Sequence, residues 1–273
     1  MTDKREWQDR VGKAWAQSWQ LTDRSFAGLT GELLHVIAAL PGSRVVDIGC
    51  GAGELSLAVS RQRPEARVIG VDVSSDLVET ARERAGPTSA VRFLCADAAG
   101  WEPDEFAPDL LVSRHGVMFF DDPVAAFAHL RDIAAPDARL AFSCFRSREE
   151  NPWMTGLAGL LPGLPAPADP LAPGPFAFAD PEHISDILTR SGWSGLRIEP
   201  FDFAYVAGAG DDAEAQAADL FARIGPLAPV IRGLGDEARG VLEGRLAQWL
   251  GRNHRDGVVA FAAAAWIVTA RRD

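Results

Sequence analysis

The segment Asp47-Ile48-Gly49-Cys50-Gly51-Ala52-Gly53 constrains this chain more than any other. It follows the short apolar run Val45-Val46 and precedes Leu55, Ala58 and Val59, which recur at helical spacing as far as about Gln62. A strand that turns into a helix through three glycines uses backbone angles and close approaches that a side chain forbids. Such a turn lets a ligand lie against bare backbone, so it suits a nucleotide-like cofactor.

The alternation continues downstream. Val68 to Val73 reads as a strand, Ser75 to Arg84 as a helix, and Val91 to Cys95 and Leu110 to Ser113 as strands. A helix from Pro123 to Ala135, started by Asp121-Asp122 as caps and Pro123 at its first turn, leads to a strand from Ala138 to Phe145. Strands alternating with helices predict an α/β fold with a doubly wound sheet. Asp72 closes the second strand, 25 residues after Asp47, where a carboxylate can accept both ribose hydroxyls of a nucleoside. Asp97 closes the third, where a carboxylate can receive an adenine amino group.

An acid at the second strand suits nicotinamide and adenosylmethionine cofactors alike. The glycine spacing separates them, because the dinucleotide fingerprint needs a glycine at its sixth position and this chain has Glu54. A carboxylate there would repel a pyrophosphate at the helix N-terminus and leave a phosphate-free cofactor undisturbed.

Val45 to Gly53 with Asp72 and Asp97 resembles the first three motifs of the class I, seven-stranded S-adenosylmethionine-dependent methyltransferases, over about Arg44 to Arg146. The resemblance implies a Rossmann-like mixed sheet whose last strand is antiparallel, here Val258 to Ala270, and S-adenosylmethionine as cofactor. It implies that Gly49, Gly51 and Gly53 line the methionine part, that Asp47 supports the loop and that Asp72 binds the ribose, with Cys50 and Val73 beside them among the cofactor-binding residues. Asp97 and Ala98 would flank the adenine, and Ser113 and Arg114 would complete the site. Ser113-Arg114-His115-Gly116-Val117-Met118-Phe119-Phe120, with Asp122-Pro123 and Ala126-Phe127, resembles the ubiquinone and menaquinone biosynthesis type. Pro136-Asp137-Ala138 departs from that type, whose members usually carry Pro-Gly-Gly there.

His115 is the catalytic candidate, since an imidazole near its ordinary pKa of about 6.5 can accept a proton. A hydrogen bond to cofactor or substrate, or simple packing, explains it equally. Arg114 could instead meet an acidic substrate group. Trp7, Val11, Trp15 and Trp19 recur every four residues. Trp15 and Trp19 are candidates for a lid over the cofactor, where a cationic sulfonium gains about 0.5–2 kcal/mol against an aromatic face, and ordinary helix packing is the alternative.

The rest of the chain reads as one domain elaborated around this core. Residues 1–40 form a helical lid, 41–146 the cofactor-binding core, 147–179 a proline-rich loop and 207–256 a helical insertion read as two broken helices. Asp180-Pro181 opens a helix to Arg190, and Leu196 to Val206 alternates as a strand. Cys50, Cys95 and Cys144 read as buried free thiols, and no metal-ligand spacing occurs among them or the five histidines. The net charge of −11 without a basic cluster argues against a nucleic-acid partner. No run of about 18 apolar residues predicts a membrane span, so the expectation is a cytoplasmic protein, and the apolar and aromatic residues between Pro152 and Phe178 point to a small, apolar organic substrate. The alternatives are an NAD(P)-dependent oxidoreductase and a non-catalytic S-adenosylmethionine-binding regulator.

Overall fold

The computed structural model describes residues 4–104, 106–161, 169–225 and 227–273. Three helices come first, α1 (Lys4–Gln8), α2 (Arg10–Gln17) and α3 (Trp19–Ala38). The apolar stripe is therefore interrupted at Asp9 and Ser18 rather than carried by one helix. The core follows as β1 (Arg44–Ile48), α4 (Glu54–Gln62), β2 (Arg67–Asp72), α5 (Ser75–Ala85), β3 (Arg92–Cys95) and β4 (Leu110–Arg114). A 3-10 turn over Val117–Phe119 leads to α6 (Pro123–Ile133) and β5 (Arg139–Phe145). Asp122 caps α6 by accepting from the Ala125 N–H at 3.0 Å, and Pro123 occupies its first turn, as the sequence predicts.

The sheet runs β3-β2-β1-β4-β5 in parallel. Val45, Val46, Val71, Leu110, Leu111 and Val112 are all fully buried, as expected for strands covered by helices on both faces. Helix α3 packs on β4 and β5, and α2 packs on α5, where Gly12 lies so close to Ser74 that a Cβ would strike its hydroxyl. That contact draws the N-terminal helices over one edge of the sheet.

Sequence and structure part company after Arg146. The expected loop over 147–179 begins with helix α7 (Pro152–Gly159), whose Trp153, Met154 and Leu157 are buried. Pro152 sits at its first turn, where a missing N–H costs nothing, so proline starts this helix rather than forbidding it. Pro162, Pro165 and Pro167 lie outside the described residues. Helix α8 (Pro181–Arg190) is capped by Asp180, and β6 (Ser194–Ala209) is longer at both ends than expected. The insertion holds three helices rather than two, α9 (Ala213–Arg223), α10 (Leu227–Gly233) and α11 (Asp236–Arg252). Gly225, in the left-handed region at φ +93°, breaks the first from the second, and Pro226 beside it lies outside the described residues.

The two-residue β7 (His254–Arg255) pairs with β8 (Val258–Arg271), which runs antiparallel between β5 and β6. Seven strands thus lie along the main path, with the last antiparallel, as the resemblance implies. Cys50 and Cys144 are buried but Cys95 is exposed, because it ends a strand at the sheet margin. Asp137 adopts φ +60°, the left-handed conformation that glycine would supply in the turn before β5. Asp137→Gly is expected to raise the melting temperature by about 2 °C, from about 0.5–1 kcal/mol of relieved strain; an unchanged or lower value in differential scanning calorimetry would contradict this.

Candidate active site

The parallel strands deliver Ile48, Asp72, Cys95 and Arg114 to one edge of the sheet, the edge where open α/β sheets take ligands. Past Ile48 the chain turns with Gly49, Gly51 and Gly53 at φ +65°, +55° and +84°. The Gly49 and Cys50 N–H groups donate to the Val71 carbonyl at 2.9 and 3.1 Å, which ties this loop to β2. Gly49 also meets Gly116, in the turn after β4, so closely that a Cβ on it would lie 2.7 Å from the Gly116 Cα. A Cβ on Gly51, in contrast, would meet nothing within 4 Å and would project into open space.

That space is a cavity of about 360 Å³, within the roughly 300–1,000 Å³ typical of small-molecule sites. Its walls bring together most of the predicted residues: Trp15, Asp47, Gly49, Cys50, Gly51, Asp72, Val73, Asp97, Ala98, Arg114 and His115. Three predicted residues do not line it. Gly53 faces Phe93 and Ala81, serving helix–sheet packing. Ser113 lies beneath the floor, donating to the Ile48 carbonyl at 2.7 Å and accepting from the Gly116 N–H at 3.1 Å. Trp19 lies 3.8 Å beneath the Arg84 guanidinium.

Arg84 itself was invisible to sequence reasoning. It donates to the Ala52 carbonyl at 2.7 Å and pairs with Asp23 of α3 at 2.5 Å, so it clamps the N-terminal helices to the glycine loop. Trp7, Asp23, Phe119 and Phe120 also line the cavity without having been singled out as site residues. Trp7 was legible as part of the tryptophan stripe; its ring packs 5.5 Å from Trp15 and 5.0 Å from Phe119.

Burial governs the electrostatics. The Asp72 carboxylate accepts from the Gly51 and Ser74 N–H groups, each at 2.9 Å, and burial raises its pKa against those hydrogen bonds. The Val73 N–H also favours the charged form, and a carboxylate offers about four acceptor positions, so capacity remains for a ligand. Asp47 accepts from the Ser56 hydroxyl at 2.6 Å, and burial pushes it up to about 6 while its second oxygen stays without a partner. Arg114 pairs with Glu54 and donates to the Thr30 hydroxyl at 2.9 Å. The charge of Glu54 is therefore compensated, and its expected repulsion of a pyrophosphate loses its force.

His115 sits at φ +64°, its ring stacked 4.2 Å from Phe145 and edge-on to Phe26 at 5.3 Å. Its Nδ1 lies 3.4 Å from the Ser143 hydroxyl, and its buried Nε2 has no hydrogen-bond partner. Burial, with Arg114 adding to it, lowers its pKa to about 3. The imidazole is thus neutral at physiological pH.

Residues 45–137 match the family model for a methyltransferase domain. Over 173 residues the chain is 30% identical to aklanonic acid methyltransferase DauC of Streptomyces sp. (strain C5), covering 60% of this chain and 74% of that one. The chain belongs to the S-adenosylmethionine-dependent methyltransferases. Another relative in this family is trans-aconitate 2-methyltransferase of Variovorax paradoxus (strain S110), 34% identical over 119 residues, or 44% of this chain and 45% of that one. The matched stretch thus spans under half the length of that enzyme. The methyltransferase fold is shared with magnesium protoporphyrin IX methyltransferase from Synechocystis PCC 6803, at a TM-score of 0.57 and 18% identity over 99% of this chain and 100% of that one. Family membership, rather than the charge of Glu54, sets aside the nicotinamide reading.

Proposed function

We propose that this protein transfers a methyl group from S-adenosylmethionine to a small organic molecule. The observation that carries this reading is the convergence of the glycine loop, Asp72, Asp97 and His115 on one cavity. The open space above Gly51 and the spare acceptor positions of Asp72 fit the cofactor's amino-acid and ribose parts. When bound, the cofactor supplies a methyl group on positively charged sulfur. Asp72 accepts from the ribose hydroxyls, Val73 and Ala98 flank the base with Asp97 at its edge, and Arg114 meets the cofactor's carboxylate. Trp15, and Trp7 beside it, cover the site from the N-terminal helices and exclude water.

Methyl transfer is an in-line displacement, so holding donor and acceptor in line supplies most of the rate. Protonating His115 costs on the order of 5 kcal/mol more than in water, given its pKa of about 3. It therefore serves as a neutral hydrogen-bonding group that orients the acceptor through Nε2, rather than as the proton sink. Within the family, the segment from Ser113 to Phe120 supports kinship with the ubiquinone and menaquinone biosynthesis type.

Calorimetric titration with S-adenosylmethionine tests the reading. Asp72→Ala should weaken binding about ten- to hundredfold, the loss of hydrogen bonds to a charged acceptor worth about 1.5–3 kcal/mol. Binding of a nicotinamide cofactor with no affinity for S-adenosylmethionine would overturn it.

A further inference from the structure

The charge around the cavity restricts what can be methylated. Among the described residues that line it, Arg114 is the one with a permanent positive charge. It is buried and already committed to Glu54 and Thr30. Under the proposed function the same guanidinium also receives the cofactor's carboxylate. Against it stand the buried Asp47 and, holding the cofactor under that proposal, Asp72 and Asp97 in the walls, while Asp23 is paired with Arg84 and Asp121 and Asp122 lie exposed at the rim. His115 also lines the cavity, its buried Nε2 has no hydrogen-bond partner, and its neutral ring adds no positive charge.

A carboxylate brought into this space would lose its hydration, meet no free cation and stand beside several like charges, a combination with a large desolvation penalty. A neutral acceptor avoids that penalty, resting against Trp7, Trp15 and Phe119 and accepting or donating one hydrogen bond at His115. A cation gains in addition from the aromatic faces and from Asp121. From this geometry we infer that the acceptor carries no anionic group into the cavity and that the site ranks a cation above its neutral isostere. Recognition by a basic cluster, which a polycarboxylate substrate demands, is absent from the described walls of this cavity. The inference rests on the methyltransferase reading and narrows its substrate class.

Binding to the S-adenosylhomocysteine-loaded protein tests it with four probes: 2-phenylethylamine, 2-phenylethanol, phenylacetate and citrate. Titration of S-adenosylhomocysteine alone comes first, and its failure to bind strikes the methyltransferase reading rather than this one. With the cofactor product bound, the amine should bind about two- to fivefold more tightly than the alcohol, the modest gain of an exposed charge pair. Phenylacetate and citrate should be weaker than the alcohol by about tenfold or more. Asp121→Asn should narrow the gap between amine and alcohol while leaving the alcohol unchanged, and S-adenosylhomocysteine binding by this variant confirms that it is folded. The inference is overturned if either carboxylate binds as well as the alcohol, if the amine gains nothing over it, or if neither amine nor alcohol binds.

Discussion

Gly49→Val is expected to lower the melting temperature by about 4–24 °C and to abolish measurable S-adenosylmethionine binding. Two costs add. At φ +65° a β-branched residue occupies a conformation that such side chains rarely adopt, worth about 1–3 kcal/mol. Its Cβ would also press on the Gly116 backbone at 2.7 Å, where neither chain can yield without shifting β1 or β4, at about 1–3 kcal/mol more. For a chain of this size each kcal/mol shifts the melting point by about 2–4 °C. Gly51→Ala is the control, because its φ of +55° is strained but its Cβ enters open space. It should cost about 1 kcal/mol in stability while still obstructing the ligand. Melting of Gly49→Val at the wild-type temperature would show that the loop does not hold the observed contact.

Acid titration should separate His115 from its neighbours. Its pKa falls from 6.5 to about 3 on folding, so the unfolded chain binds the extra proton first. The stability this contributes is complete above pH 6.5 and drains away as the pH falls toward 3. Between pH 7 and pH 4 the loss amounts to about 3 kcal/mol. Asp47 acts in the opposite sense, since its pKa rises from 3.8 to about 6 on folding. Its contribution is complete below pH 3.8 and is lost as the pH rises through 6, about 2 kcal/mol over the same interval. The two curves partly cancel in the wild-type protein, and the difference between variant and wild type isolates one of them. His115→Asn keeps a residue that tolerates the left-handed backbone. Relative to wild type it should gain about 3 kcal/mol of stability between pH 7 and pH 4, measured by urea unfolding at each pH. Parallel pH profiles would mean that His115 is protonated as readily in the folded protein as in water.

What the sequence revealed and what it hid divide along the range of the interactions. Gly49, Gly51, Asp72 and Asp97 were legible because strand ends and glycine turns are local and their spacing follows from the strand–helix repeat. Trp15 was legible for its place in a stripe, but Trp19, from the same stripe, turned to Arg84 instead of the cavity. That difference depends on the interruption at Ser18 and on a partner 65 residues away, which no local pattern records. The pairing of Glu54 with Arg114 was hidden for the same reason, and with it the neutralisation of a charge on which the cofactor argument had leaned. Ser113 was placed at the right strand end, yet its side chain points below the cavity to the Ile48 carbonyl, a choice set by strand alternation. Helix α7 was missed because the prolines that signal a loop lie beyond it in the chain, whereas Pro152 occupies the first turn, where a helix tolerates proline.

The position of β8 has a consequence for how the protein comes to be folded during its synthesis. Strand β6 has β8 as its partner on the sheet path, and β8 is the strand that joins it to β5. Until residues 258–271 leave the ribosome, the 16-residue β6 lacks that partner, and β5 presents an unpaired edge. The five parallel strands can assemble as they emerge, but α9, α10 and α11 must wait, since β6 and β8 are the supports on which α9 packs. The growing chain therefore carries a finished half and an unfinished half with an open strand edge, the state most prone to pair with another chain. Its last strand is the latch that ends that exposure.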